Sequence, residues 1–183
     1  RYVIRKNFSD PLDLKSSRVA KAELIEKSSG KTVRDLTADD IGLGRDREGV
    51  VLWSPDSKRF AYLSSNLTVP PGNLFSKPPP LPQKKQTTVY QLLGDSFSRV
   101  DLPLNNPPGR EDDAEIKGAV VGHEFIEPMK WAKAKELILE RHDYYESLAA
   151  SGSIHGFDRL YEITVVLRED GSADTTWKRR QDR

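Results

Sequence analysis

VVLWSPDSKRFAYLSSN, residues 50–66, carries the sharpest local signal in the chain. Val50, Val51 and Leu52 lead into Trp53, a run of branched and aromatic residues that suits a β-strand. Ser54-Pro55-Asp56-Ser57 reads as a type I turn, with proline presetting φ at its second position. In the returning arm Phe60 and Tyr62 fall on one side, and Ala61 and Leu63 on the other. A ribbon with two aromatics and a tryptophan across its turn needs a second layer to cover them.

Similar ribbons recur outward from this one. RYVIRKN (1–7) is a short β-prone run, and residues 22–36 form two arms around Ser28-Ser29-Gly30. Residues 87–104 turn at Gly94-Asp95-Ser96, and residues 119–131 are β-like and end in Trp131. Residues 160–179 place β-branched arms around Asp170-Gly171, a favoured turn pair. Loops are expected at 10–17, 37–49, 105–115 and 147–158. Residues 66–86 hold six prolines, lack the N–H groups for a regular ladder, and read as a long exposed loop of polyproline II character. Residues 135–141 fit a returning strand or the start of a helix, since Trp131, Ala134, Ile138, Tyr145 and Leu148 make a helical stripe. The reading therefore leaves room for one short helix near 143–150.

Two stretches share a pattern. In 50–104 and again in 119–179, a tryptophan ends one arm, a short polar turn follows, an apolar arm returns, and a second hairpin closes the unit. Residues 22–36 look like the closing hairpin of a partial unit. Repeats this long are supersecondary units that cannot bury their own faces and lean on a neighbour. The run from Trp53 resembles the inner-strand hairpin of TolB-type β-propeller blades, in which W-S-P-D-G-K/R is followed by an apolar arm with Ala and an aromatic. Trp53, Ser54, Pro55, Asp56, Lys58, Ala61 and Tyr62 match, and Ser57 stands where that pattern has Gly. The resemblance implies a binding or scaffold role. Propellers close with roughly 4–8 blades, and this chain holds material for two and a half. The expected fold is all-β, mainly antiparallel hairpins, with blade-like repeats packed as a compact two-sheet body in one domain spanning 1–183. A monomer is preferred to a ring completed by other copies.

Composition sets the outer limits. Twenty-nine Lys and Arg against 28 Asp and Glu give a net charge of +1, so no single-sign field steers a nucleic acid to the whole surface. With no cysteine, disulfides, thiolate nucleophiles and Cys-bound zinc are excluded. No apolar run reaches the roughly 18–20 residues of a membrane-spanning helix. A start at Arg1 rather than Met suggests a removed export signal, so a secreted or periplasmic location is expected.

Candidates for chemistry are few. His123, His142 and His155 lack close ligand spacing, so they are expected to scatter over the surface, and no metal or cofactor is expected. Asp170, Ser172 and Asp174 space oxygens like the start of a calcium loop, but a hairpin turn explains EDGSAD. Asp39-Asp40 and Glu111-Asp112-Asp113 sit in polar loops and read as solvated charge. No G-x-S-x-G or S-x-x-K marks a nucleophile, so no catalytic residue is assigned. Trp53, Tyr62, Tyr90 and Trp131 are the candidate binding residues, for an unidentified protein or carbohydrate partner, provided they share a solvent-facing surface. The first functional reading is a non-enzymatic binding module. The second is a hydrolase-like enzyme, which requires loop carboxylates to converge on a histidine in a cleft near the proline-rich loop.

Overall fold

A computed structural model describes residues 2–8, 19–39, 50–65, 83–104 and 106–180. The described chain is almost entirely β. Three strands, β1 (Tyr2–Phe8), β2 (Val19–Glu26) and β3 (Thr32–Asp35), make an antiparallel sheet in chain order. A single 3-10 turn follows at Thr37–Asp39. The remaining strands belong to one eight-stranded sheet. They are β4 (Val50–Trp53), β5 (Arg59–Ser65), β6 (Gln83–Leu93), β7 (Ser96–Val100), β8 (Val120–Lys133), β9 (Glu136–Leu148), β10 (Ile154–Leu167) and β11 (Ala173–Arg179). Its order is β11-β10-β9-β8-β6-β5-β4, with β7 also on β6. The expected two-sheet, antiparallel, all-β body is what forms. Among the described residues no helix is long and apolar enough to cross a membrane.

The large sheet is two four-stranded meanders, β4–β7 and β8–β11, joined by a short parallel pairing of Gln83–Lys85 with His123–Phe125. It doubles back on itself. Trp131 of β8 donates its indole N–H to the Leu52 carbonyl of β4 at 3.0 Å, although two strands, β6 and β5, separate them in sheet order. Gln91 of β6 donates to the Arg168 carbonyl at the β10–β11 turn at 2.9 Å. Three layers result. Ala61, Val89 and Val100 meet Leu137, Leu139, Ile163 and Val165 on one side of the middle layer. Phe60, Tyr62, Tyr90 and Phe97 meet Ala22, Leu24 and Leu36 on the other. The predicted alternation of Phe60 and Tyr62 against Ala61 is therefore realised, with a core on each face.

The Ser54–Arg59 turn is closed by its own side chains. Ser54 Oγ donates to Asp56 Oδ1 at 2.6 Å and accepts from the Arg59 N–H at 3.0 Å. Asp56 Oδ1 also accepts from the Lys58 N–H at 3.1 Å. Ser57 has φ of 57°, the one positive value for a non-glycine residue among the described residues. That left-handed conformation crowds a Cβ, which is why glycine suits this position.

Four boundaries differ from expectation. Residues 143–150 contain no helix: β9 runs straight through to Leu148. Its odd positions from Leu137 to Tyr145 are buried, but two of them are Arg141 and Asp143, so the apolar alternation is broken in sequence. The stretch 147–158 is mostly strand, and its turn shrinks to 149–153 with Gly152 at φ of 83°. The proline-rich loop ends earlier than expected, because β6 begins at Gln83, immediately after the last proline. The β10–β11 connection is wider than a two-residue turn: Arg168 N–H bonds the Ser172 carbonyl and Gly171 is left-handed at 85°. Residues 66–82 of the proline-rich loop, residues 40–49 of the loop that holds Asp40, and loop residues 10–17 lie outside the described residues.

Two outcomes are expected. Ser57→Gly should stabilise the chain by roughly 0.5–1 kcal/mol in urea denaturation, the relief of left-handed strain less the entropy glycine adds to the unfolded state. The second concerns Glu23, whose carboxyl is held down to about 2 by the Lys21 ammonium, the Arg5 guanidinium and the Thr32 hydroxyl. The unfolded carboxyl takes up protons first, so this stabilisation is present above about 4.5 and fades as pH falls toward 2. Thermal melts of Glu23→Gln should show a shallower fall across that window than the parent.

Candidate functional site

The four aromatic candidates part company in the fold. Tyr62 and Tyr90 are each 0% exposed, so neither ring can meet a ligand, and their assignment as binding residues is corrected to core. Both point from the middle layer into the interface with the three-stranded sheet, and Tyr90 donates its hydroxyl proton to Asp39. Burial and that carboxylate push the Tyr90 hydroxyl above its ordinary range. Trp131 is half-buried and committed through its N–H to β4. Trp53 alone lines an open groove. Its ring stacks on Tyr2 at 5.3 Å and 21°, and Phe60 and Phe97 support it from within at 4.9 and 5.8 Å. Tyr2, Lys27, Trp53 and Ser57 line a volume of about 390 Å³. The groove lies where β1 of the small sheet meets the edge strand β4. Tyr2 enters it from a segment 51 residues away, so sequence spacing carried no sign of the pair.

A second opening lies at a fork in the large sheet. One edge of β6 pairs with β8 at its start and with β7 at its end, leaving Gln86, Thr87 and Thr88 between them. A cavity of about 360 Å³ opens there, with Lys84, Arg99 and Arg141 on its walls and Glu124 among them. The cations are engaged already: Lys84 with Glu124 at 3.1 Å, Arg99 with Asp39, and Arg141 with both oxygens of Asp143 at 2.8 and 2.9 Å. Arg141 and Asp143 are 3% and 0% exposed, and burial raises the Asp143 carboxyl even beside the guanidinium. The fork is a buried polar seam, not a free cationic pocket.

The carboxylates read as solvated are corrected in two cases. Asp39 is buried, accepting from Tyr90 and paired with Arg99. Asp113 is 10% exposed and holds the buried Arg159 through its Nε at 2.8 Å. Asp170 behaves as a turn residue, accepting from the Ser172 N–H at 2.9 Å and hydroxyl at 2.7 Å. Asp174 binds Arg168 instead, so EDGSAD is the hairpin turn expected of it.

Two of the three histidines are not scattered. On the outer face of β8–β11, His123 and His142 lie 4.7 Å apart between ring centres, and His142 Nε2 is 2.6 Å from Asp158 Oδ1. His123 is stacked on Phe125 at 4.1 Å and 9°, and on Tyr144 at 5.4 Å and 21°. Burial lowers its ring to about 4, with the neighbouring His142 adding to the effect, so it is neutral at pH 7. Its Nε2 is buried with no hydrogen-bond partner. Among the described residues, His123, His142 and Asp158 form the one group whose ligating atoms are close enough to hold a metal ion. His155 is exposed and apart from them. Sequence spacing hid the cluster because it comes from three long strands and depends on their register.

No family model matches the chain, and neither the curated proteins nor the solved structures contain a match.

Breaking the seam should be costly. Arg141→Met leaves the buried Asp143 carboxyl without its guanidinium partner, and is expected to lose about 3–5 kcal/mol in urea unfolding. The double variant Arg141→Met/Asp143→Leu should recover most of that loss, because the orphaned carboxyl is gone.

Proposed function

We propose that this chain is a non-enzymatic binding module, assembled from blade-like meanders, that engages a carbohydrate or protein partner through the Tyr2–Trp53 groove. One observation carries the reading: of the aromatic candidates, Trp53 is the ring that lines an open volume, backed by a rigid aromatic cluster. A flat aromatic floor with the Lys27 ammonium and Ser57 hydroxyl beside it suits a sugar ring, whose apolar face stacks while its hydroxyls find polar partners. The blade-like reading draws support from the two face-packed meanders, each opening with a tryptophan near the end of its first strand. The proposal keeps the monomeric state and the secreted or periplasmic setting expected above.

The enzyme alternative has less behind it. Two of the loop carboxylates it could draw on, Asp39 and Asp113, are engaged with Tyr90, Arg99 and Arg159. The His142–Asp158 contact lies on open strands and not between loops.

Glycan and peptide arrays probed with the intact chain, followed by tryptophan-fluorescence titration of any hit, test the reading. Lys27→Glu, on the exposed rim, and Trp53→Ala, at the floor, should each weaken binding by about tenfold or more, while Lys133→Glu on the far layer should not. A hit indifferent to both groove variants, or no hit from either array, removes the proposal.

A further inference from the structure

We propose that His123, His142 and Asp158 form a site for one divalent transition-metal ion of the zinc class, open to solvent on one side. The three residues come from successive strands β8, β9 and β10, and one ligating atom from each lies within 4.8 Å of the others. Zinc-type ions bind imidazole nitrogen at about 2.0–2.1 Å, which sets tetrahedral ligand atoms roughly 3.3 Å apart. The spacing here brackets that value, from the 2.6 Å His142–Asp158 contact upward. Small side-chain rotations are enough to gather the set.

Register supplies an independent reason. β8 carries a bulge between Val121 and His123, so that Val121 opposes Tyr145 and His123 opposes Tyr144. Tyr145 faces the core, and Tyr144 faces out. Had Gly122 paired regularly with Tyr144, His123 would oppose Asp143 on the core face. The bulge turns it onto the face that holds His142, and bulges that re-aim a side chain gather at functional sites. Gly156 adds space on β10: a Cβ there would meet the Tyr144 hydroxyl at 2.3 Å, so glycine lets the tyrosine lean past Asp158 toward Glu146. Phe125 and Tyr144 hold the His123 ring between them. Its shielded Nε2 lacks the partner that buried polar atoms ordinarily have.

Ligand chemistry defines the ion. Two imidazoles and one carboxylate suit zinc, cobalt, nickel, copper or ferrous iron, and not calcium or magnesium, which take oxygen sets. Three protein ligands leave a position for water or an external group.

The test uses the full chain without a histidine tag, stripped with chelator and titrated calorimetrically with Zn²⁺, then with Co²⁺ while following its visible d–d absorption. One ion per chain is expected, with the absorption of a site of low coordination number, and no heat with Mg²⁺. His142→Gln and Asp158→Asn, both partly exposed, should keep the parent circular dichroism and weaken binding by more than about tenfold. His123→Gln should do the same, and His155→Gln should leave binding unchanged. Binding that survives His142→Gln and Asp158→Asn, or the absence of saturable binding tighter than about 1 mM in the parent, overturns the site.

Discussion

The structure depends on burial of the β5–β6 ladder on both faces at once. Phe60, Tyr62 and Tyr90 face the small sheet, while Ala61 and Val89 face the returning half of the large one. A strand that is covered on one side alternates apolar with polar residues; a strand covered on both is apolar at nearly every position. β5 is covered on both, with six of its seven residues buried and its middle, Phe60 to Leu63, apolar throughout. Each side chain of this ladder therefore requires a separate partner layer, and the chain must wrap from one to the other. The doubling of the large sheet follows from that need, as does the docking of β1–β3.

Such a stack leaves polar groups with nowhere to go but inward. Arg59, Arg141 and Arg159 are each no more than 3% exposed, and each is satisfied by a carboxylate: Asp56, Asp143 and Asp113. These pairs are weak sources of net stability, since desolvation offsets most of their attraction, but they are intolerant of losing one partner. They fix which strand register is allowed, because a slip by one residue would send an unpaired charge into the apolar layer. Glu124 shows how closely the two faces of β8 are divided. It meets Arg141 on the inner side, while its neighbours His123 and Phe125 turn to the outer side.

The candidate sites sit where this packing ends. The Trp53 groove is the seam where the small sheet meets the edge strand β4, and the histidine cluster lies on the outer, partly exposed face of the last meander. Both combine a rigid support with solvent access. Trp53 is braced by Phe60 and Phe97, and His123 by Phe125 and Tyr144. Phe97 and Tyr144 reach these sites from other strands, a relation that sequence distance does not express.

The ribbons were legible in the sequence because period-2 alternation and turn residues are local properties. The arms around Ser54–Ser57, Gly94-Asp95 and Asp170-Gly171 fell where those patterns put them, and Ser57 already marked the place where glycine belongs. β9 was ambiguous for a definite reason: Arg141 and Asp143 occupy core positions, and only knowing that they face each other makes them compatible with burial. Whether an aromatic was core or surface could not be read locally either. Tyr62 and Trp53 lie on neighbouring strands, and it is the docking of β1–β3 that closes over one and leaves a groove at the other. Two histidines and an aspartate spread over 36 residues became neighbours through strand register and one bulge. Local chemistry determined the strands and turns of this protein; long-range pairing, which no short window of sequence encodes, decided which side chains meet.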